Sequence, residues 1–239
     1  MKLGGLMKLT LLDFPETVAC TVFTSGCNFR CPFCHNASLV VPERMTEEDH
    51  LEEDEFFKFL SKRQGVLDGV CVSGGEPLMW PDARDFIARI KEMGFKVKLD
   101  TNGSYPDRLK EILDEGLLDY VAMDIKSAPE SYGRACGLNE TPIENVRRSI
   151  EILRNSGTPY EFRTTVVDEL HGGSDEEVRM LFERVGRLIE GKEQRYFLQE
   201  FEDSGMVIGE GYHAMAKDKM LVALEAVRKF VPMAALRGE

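Results

Sequence analysis

The chain has 239 residues and a formal net charge of −12, with 43% hydrophobic and 30% charged positions. That length suits one large domain or two small ones, with enough apolar material for a sizeable core. The acidic balance, with no Lys/Arg block, argues against a general nucleic-acid binder, which needs a basic face. No apolar run approaches the roughly 20 residues of a membrane helix. Asp13, Pro15 and Glu16 interrupt any secretory h-region behind Lys2 and Lys8. The expected location is therefore the cytoplasm. Six cysteines fall far below the density of a disulfide scaffold, and three of them cluster. Metal chemistry in a reducing compartment fits that usage.

Residues 1–16 read as an apolar lead-in, a short strand or hairpin. Thr17 to Phe23 is rich in β-branched residues and predicts the first strand. Thr46 predicts a helix N-cap, with Glu47, Glu48 and Asp49 in the first turn and Lys62 and Arg63 in the last, which suits the helix dipole. Val70-Cys71-Val72 is a short buried strand that runs into Ser73-Gly74-Gly75-Glu76-Pro77. Phe86, Ile87, Ile90 and Met93 share one helical face, stopped by Gly94. Phe95, Val97 and Leu99 alternate with Lys96 and Lys98 in a third strand that leads to Asp100-Thr101-Asn102-Gly103. Leu109, Ile112 and Leu113 mark a helix, and Tyr120 to Met123 a fourth strand ending in Asp124-Ile125-Lys126.

Thr141-Pro142-Ile143-Glu144 combines an N-cap, a first-turn proline and a capping-box glutamate. Ile143, Val146, Ile150 and Leu153 continue that helix. Tyr160, Phe162, Thr164 and Val166 begin a fifth strand, and Ser174 with Glu177 caps the next helix. Tyr196-Phe197-Leu198 is a sixth strand, and a last helix carries Met220, Leu224 and Val227. Strand and helix alternate about six times, which predicts an α/β fold with a parallel sheet wrapped by helices. A full barrel needs eight such units in roughly 250 residues. The reading is a partial (β/α)6 TIM-like barrel, with a flat doubly wound sheet as the alternative. Without a linker or repeat, residues 1–239 form a single domain, ending in a helical extension over about 202–239. That extension shows no evident lid, so the barrel mouth is expected to stand open.

The chemistry concentrates after the first strand. Cys27, Cys31 and Cys34 follow C-x-x-x-C-x-x-C spacing, which lets one tight loop point three sulfurs at one centre. Thiolates select zinc or iron–sulfur clusters. Structural zinc takes four protein ligands, and the nearest fourth candidate is His35. A cubane cluster on three thiolates instead leaves one iron open. His35 reads as a loop-packing residue, Cys20 and Cys71 as core thiols, and Cys136 as a loop cysteine without a role. In a parallel barrel the active site lies at the C-terminal strand ends. The Gly-Gly-Glu-Pro, Asp-Thr-Asn-Gly and Asp-Ile-Lys sequences all sit there, with Arg163 in the fifth strand. Each alone reads equally well as a turn or a solvated charge pair. For Arg163, a salt bridge to Glu161 or Glu200 is the plain alternative to an anionic ligand.

The cysteine loop, with Phe33 before its last cysteine, resembles the radical S-adenosylmethionine superfamily signature. Gly74-Gly75-Glu76-Pro77 resembles that superfamily's motif for the methionine amino group. Asp100-Thr101-Asn102-Gly103 and Asp124-x-Lys126 are similar to elements of glycyl-radical-enzyme activases. Gly4-Gly5-Leu6, Leu11-Leu12-Asp13-Phe14-Pro15 and the run from Phe23 to Asn36 are similar to the longer type of anaerobic ribonucleoside-triphosphate reductase activating proteins. The resemblance runs from residue 4 to about residue 201. It implies a [4Fe–4S] cluster on Cys27, Cys31 and Cys34, with S-adenosylmethionine on the open iron. It places the cofactor among Phe33, Gly74, Gly75, Glu76, Asn102, Asp124, Lys126 and Arg163, and a monovalent cation at Asp100, Thr101 and Asp124. The implied reaction is reductive cleavage to a 5′-deoxyadenosyl radical, which takes a hydrogen atom from a glycine of a partner enzyme. The implied partners are the catalytic subunit of an anaerobic ribonucleotide reductase and a flavodoxin- or ferredoxin-type electron donor. Another glycyl-radical enzyme such as pyruvate formate-lyase, or a small-molecule reaction of the deazapurine-synthase type, is the alternative.

Overall fold

The alternation of segments produces one eight-stranded sheet whose spatial order is the order of the chain, β1 to β8. This is seen in a computed structural model that describes residues 1–44, 50–203, 205 and 207–237. The strands are β1 (Leu3–Thr10), β2 (Ala19–Thr24), β3 (Gly69–Gly74), β4 (Lys96–Thr101), β5 (Tyr120–Asp124), β6 (Tyr160–Val166), β7 (Arg195–Glu200) and β8 (Ala234–Leu236). β1 runs antiparallel to β2, pairing Leu3 with Thr24 and Thr10 with Ala19. Every later neighbour is parallel. No ladder joins β8 back to β1 among the described residues, so the barrel is partial.

The six strands read from the sequence are β2 to β7, and two further strands extend the sheet beyond six. β1 is a full antiparallel strand rather than a loose lead-in. The extension over 202–239 is not wholly helical, because β8 pairs with β7. Ala-Ala-Leu is too short and too plain to carry a readable period of two.

The helices are α1 (Ala37–Val40), α2 (Glu53–Ser61), α3 (Ala83–Glu92), α4 (Pro106–Asp114), α5 (Tyr132–Cys136), α6 (Ile143–Ser156), α7 (Asp168–His171), α8 (Asp175–Leu188) and α9 (Lys217–Arg228). α3 forms because Phe86, Ile87 and Ile90 recur on one face, and Arg89 and Lys91 suit its C-terminal dipole. Burying each of those three side chains contributes about 1.5–3 kcal/mol. The Ser174–Glu177 capping box on α8 is present in both directions. The cap expected at Thr141 is absent: α6 starts after Pro142, which has no side-chain cap. The N-cap expected at Thr46 and the acidic turn at 47–49 lie outside the described residues. No described helix is long and apolar enough to cross a membrane.

The strand pleat decides what faces the barrel axis. On β4, Val97 and Leu99 turn outward to the helices while Lys98 and Asp100 turn inward. Lys98 is only 2% exposed although its alternation with apolar residues suggests a solvent-facing lysine. Its ammonium donates to the Asp13 carbonyl and lies 3.3 Å from Asp100 Oδ1. Thr21 donates to Asp13 Oδ2, and the Phe14 ring sits 6.3 Å from that of Tyr120. The Asp13-Phe14-Pro15 motif thereby anchors the floor of the barrel.

Candidate active site

β2 ends at Thr24, and the cysteine loop begins three residues later at the C-terminal rim of the sheet. Trp80 Nε1 donates to the Ser25 carbonyl at 2.9 Å and fixes the loop's first turn. Arg30 N–H donates to the Cys136 carbonyl at 2.8 Å, tying the loop's middle to the end of α5. Cys136 is therefore a fully buried residue at the end of α5, with its free thiol beside that of Cys31, not a loop cysteine. A five-residue helix after a proline turn carries too little period to show itself in sequence. Cys20 and Cys71 are fully buried in β2 and β3.

A cavity of about 190 Å³ opens beside the loop. Cys27, Cys31, Cys34, Phe33, Gly74, Gly75, Asp100, Thr101, Asn102, Asp124, Lys126 and Arg163 all border it, so the strand-end motifs do meet at one place. A wider cleft of about 940 Å³ lies at the opposite, N-terminal end of the strands and contains none of these residues. Among the described residues, no three His, Cys, Asp or Glu side chains converge tightly enough for a single metal ion. Three thiols spread around one cavity suit a polynuclear group better than mononuclear zinc. Burial pushes the Cys27 thiol up to about 12 and raises Cys34 as well. Cys31 is drawn down, first by the neighbouring Cys136 thiol and against the effect of burial. A soft cation is what turns such thiols into thiolates. The donor set therefore fits an iron–sulfur cluster.

Opposite the thiols lies a charge network. Arg163 Nε donates to Asp124 Oδ1 at 2.9 Å, and its other arm is 3.5 Å from Asp100 Oδ2. Lys126 donates to Asp124 Oδ2 at 2.9 Å, and Ser73 donates to Asp100 Oδ2 at 3.0 Å. Burial pushes the Asp124 carboxyl up, but Arg163 and Lys126 outweigh it and hold it well below the usual range. Burial works against both cations, and their carboxylate partners more than offset it. Neither Glu161 nor Glu200 pairs with Arg163. Glu161 takes Tyr120 and Arg237 instead. Both oxygens of Asp124 accept from Lys126 and Arg163, while Thr101 donates to Glu76. Lys126 Nζ also stands 6.0 Å over the Phe33 ring, closing an apolar wall against a charged one.

Glu76 is placed differently from the expectation of a ligand-facing carboxylate. It is fully buried and does not border the cavity. Oε1 accepts from Leu78 N–H at 3.0 Å and from Thr101 Oγ1 at 2.8 Å, and Oε2 accepts from Asn102 N–H at 2.7 Å. Glu76 thus clamps the end of β4 to the end of β3. Burial raises its carboxyl to about 7 against the pull of those three donors. Asn102, once positioned, donates to Asn28 Oδ1 at 3.0 Å and lies 3.8 Å from Cys27 Sγ. Gly74 and Gly75 also serve packing within the protein. A Cβ on Gly74 would overlap the Thr24 backbone, and one on Gly75 the Gly26 carbonyl. Only glycines let β3 end against the start of the cysteine loop.

In Glu76→Gln, the new amide must face either Leu78 N–H or Asn102 N–H, and one buried donor loses its acceptor. The expected cost is about 1–3 kcal/mol. That corresponds to roughly 2–4 °C in Tm per kcal/mol for a chain of this size. A thermal melt at pH 8, where Glu76 is ionised, checks it. An unchanged Tm would rule out the clamp.

The mouth is less open than the sequence suggests. After β7 the chain crosses the rim: Gly209 N–H donates to the Pro32 carbonyl at 2.7 Å, and Arg44 donates to the Val207 carbonyl at 2.8 Å. His213 O then accepts from Asp168 N–H at 2.9 Å. His35 packs its ring 5.3 Å from Phe201 at the start of this crossing.

The fold and the site together define a class, the partial α/β barrels that hold a cofactor on soft ligands at the carboxyl ends of parallel strands. The chain belongs to the radical SAM superfamily, whose profile matches residues 21–185. Membership implies a [4Fe–4S] cluster and S-adenosylmethionine. A Methanocaldococcus jannaschii protein described as a glycyl-radical enzyme activating enzyme is 33% identical over 178 residues, 72% of this chain and 71% of its own. The pyruvate formate-lyase-activating enzyme of Clostridium pasteurianum is 29% identical over 185 residues, 75% of this chain and 74% of its own. The 7-carboxy-7-deazaguanine synthase of Methanopyrus kandleri is 35% identical over 119 residues, 43% of this chain and 46% of its own. Among solved structures, a domain of a Bacteroides vulgatus pyruvate-formate lyase-activating enzyme has a TM-score of 0.54 at 17% identity, covering 71% of this chain and 99% of that one. That likeness is one of fold.

Proposed function

We propose that this protein is a glycyl-radical-enzyme activase, and that its partner is the catalytic subunit of an anaerobic ribonucleotide reductase. The observation that carries the reading is the single cavity shared by three thiols and the Asp124–Lys126–Arg163 network. The extent of likeness to activating enzymes, 72% and 75% of the chain, supports it. The deazaguanine synthase relative favours a small-molecule reaction as second reading, but over only 43% of the chain. When bound, the cluster and S-adenosylmethionine supply reductive cleavage to methionine and a 5′-deoxyadenosyl radical, which abstracts hydrogen from a glycine α-carbon.

The residues of this chain then have distinct tasks. Cys27, Cys31 and Cys34 would hold the cluster. Lys126 and Arg163 lie where a carboxylate can pair with them. Phe33 would give the adenine an apolar wall, and Asn102 would help to hold the ribose. Gly74, Gly75 and Glu76 keep that geometry rigid. Asp100 and Asp124 order the cations, Thr101 joins Glu76 to the end of β4, and the three stand where a monovalent cation would bind. The single-domain organisation over 1–239, the cytoplasmic location and the flavodoxin- or ferredoxin-type donor complete the proposal.

The test is anaerobic incubation with the partner subunit, a reductant and S-adenosylmethionine, read by electron paramagnetic resonance. A doublet should appear on the partner and vanish when its radical-site glycine becomes alanine. A radical-free partner alongside turnover of a small molecule would hand the case to the second reading.

A further inference from the structure

β5 ends at Asp124, and the chain then leaves the sheet with three carbonyls in succession that need donors. Each finds one on a different element. Tyr132 Oη from α5 lies 3.4 Å from the Asp124 carbonyl. Thr164 Oγ1 from β6 donates to the Ile125 carbonyl at 2.6 Å and accepts from Tyr196 Oη at 2.6 Å. His171, the last residue of α7, lies 2.9 Å from the Lys126 carbonyl through Nε2. Its Nδ1 accepts from Val167 N–H at 3.0 Å, so the proton sits on Nε2 and that nitrogen donates. His171 is fully buried, and burial lowers its pKa and favours the neutral ring. None of this scaffold was visible as a motif.

We infer that His171 is a positioning residue that holds the Lys126 backbone so that the Lys126 ammonium reaches Asp124 and the cavity. The inference rests on the reading that the cavity takes S-adenosylmethionine. A long, flexible lysine side chain is aimed mainly by its backbone, and the strand no longer fixes that backbone here. The His171 bond replaces the missing ladder partner. It also couples the β5 loop to the end of β6, where the crossing segment attaches through Asp168 and His213.

The experiment measures S-adenosylmethionine binding to anaerobically reconstituted protein, with iron content as the check on folding. Lys126→Met should weaken binding about tenfold, and His171→Leu by a similar factor. Adding His171→Leu to Lys126→Met should bring no further loss. His171→Gln keeps an N–H donor near the Nε2 position and an acceptor for Val167, so it should bind within about threefold of the unaltered protein. Unchanged affinity in His171→Leu, or an equal further loss in the Lys126→Met background, overturns the inference while leaving the cavity assigned. Unchanged affinity in Lys126→Met removes the cavity reading and the inference with it. If His171→Leu does not take up iron, His171→Gln is compared with His171→Asn, whose amide falls short of the carbonyl. Equal affinity of those two also overturns the inference.

Discussion

Replacing Cys31 with alanine should leave the protein without iron. The unaltered chain, reconstituted anaerobically, is expected to take up about four irons with a cluster absorption band. Cys31 is the most enclosed of the three loop thiols, 7% exposed, and sits between the cavity and Cys136. Two remaining thiolates cannot hold a cubane that needs three from the protein. Cys27→Ala and Cys34→Ala should fail in the same way. Cys20→Ala and Cys71→Ala should keep the cluster, because both thiols are buried within strands and do not border the cavity. Cys136→Ala is the informative control. Its thiol touches Cys31 but does not border the cavity, so iron content should persist. Stoichiometric zinc with no iron uptake, or iron retained in Cys31→Ala, would defeat the assignment.

The second large effect is expected from Arg163→Met. Arg163 is the hinge of the charge network, paired to Asp124 at 2.9 Å and to Asp100 at 3.5 Å. Removing one partner of a buried pair strands the other, typically at a cost of about 3–5 kcal/mol. Lys126 still faces Asp124 and Lys98 still faces Asp100, and Asp124 is 32% exposed, so the lower end applies. The expected loss is about 3 kcal/mol in urea unfolding, with binding of S-adenosylmethionine weakened as well. Asp100→Asn in the same background should recover part of the stability, because it removes the more buried of the two carboxylates that Arg163 served. A loss below about 1 kcal/mol would mean that water already screens the network as it does a surface pair.

Much of this was legible in the residues. β2 to β7 announce themselves through β-branched runs and the turns that follow, and the cavity-lining motifs through polar sequences at each strand end. The cysteine loop needs no tertiary context, since its spacing is local. What stayed hidden depends on which side of a strand faces which neighbour. Lys96 and Lys98 look alike in sequence, yet one faces water and the other the barrel axis. Glu76 reads as a ligand to an ammonium, but the backbone donors of Leu78 and Asn102 reach it first, and Asn102 lies 26 residues away. Gly74 and Gly75 signal close approach correctly, but the approaching backbone belongs to Thr24 and Gly26. Cys136 and His171 end helices of five and four residues, too short for any period. The crossing at residues 207–213 is held by backbone carbonyls, which sequence does not display.

The serial order of the strands also has a consequence for how the chain is made. Each strand from β2 to β8 meets its partner in the sheet as soon as it leaves the ribosome, because that partner has just been synthesised. The thiol loop, its glycine seat and the Glu76 clamp on Asn102 all lie in the first half of the chain. A nascent chain that has emerged only through β5 carries the thiol loop, its glycine seat and the Glu76 clamp, while Lys126, the Cys136 carbonyl that holds Arg30 and the Arg163 side chain are still to come. Throughout elongation one edge moves along the growing sheet, while β1 remains the other edge from the start. The only edge that changes during synthesis, and invites strand-to-strand aggregation in turn, is that of the newest strand. It comes to rest on β8, which at three residues is the shortest strand of the sheet and leaves little backbone to pair.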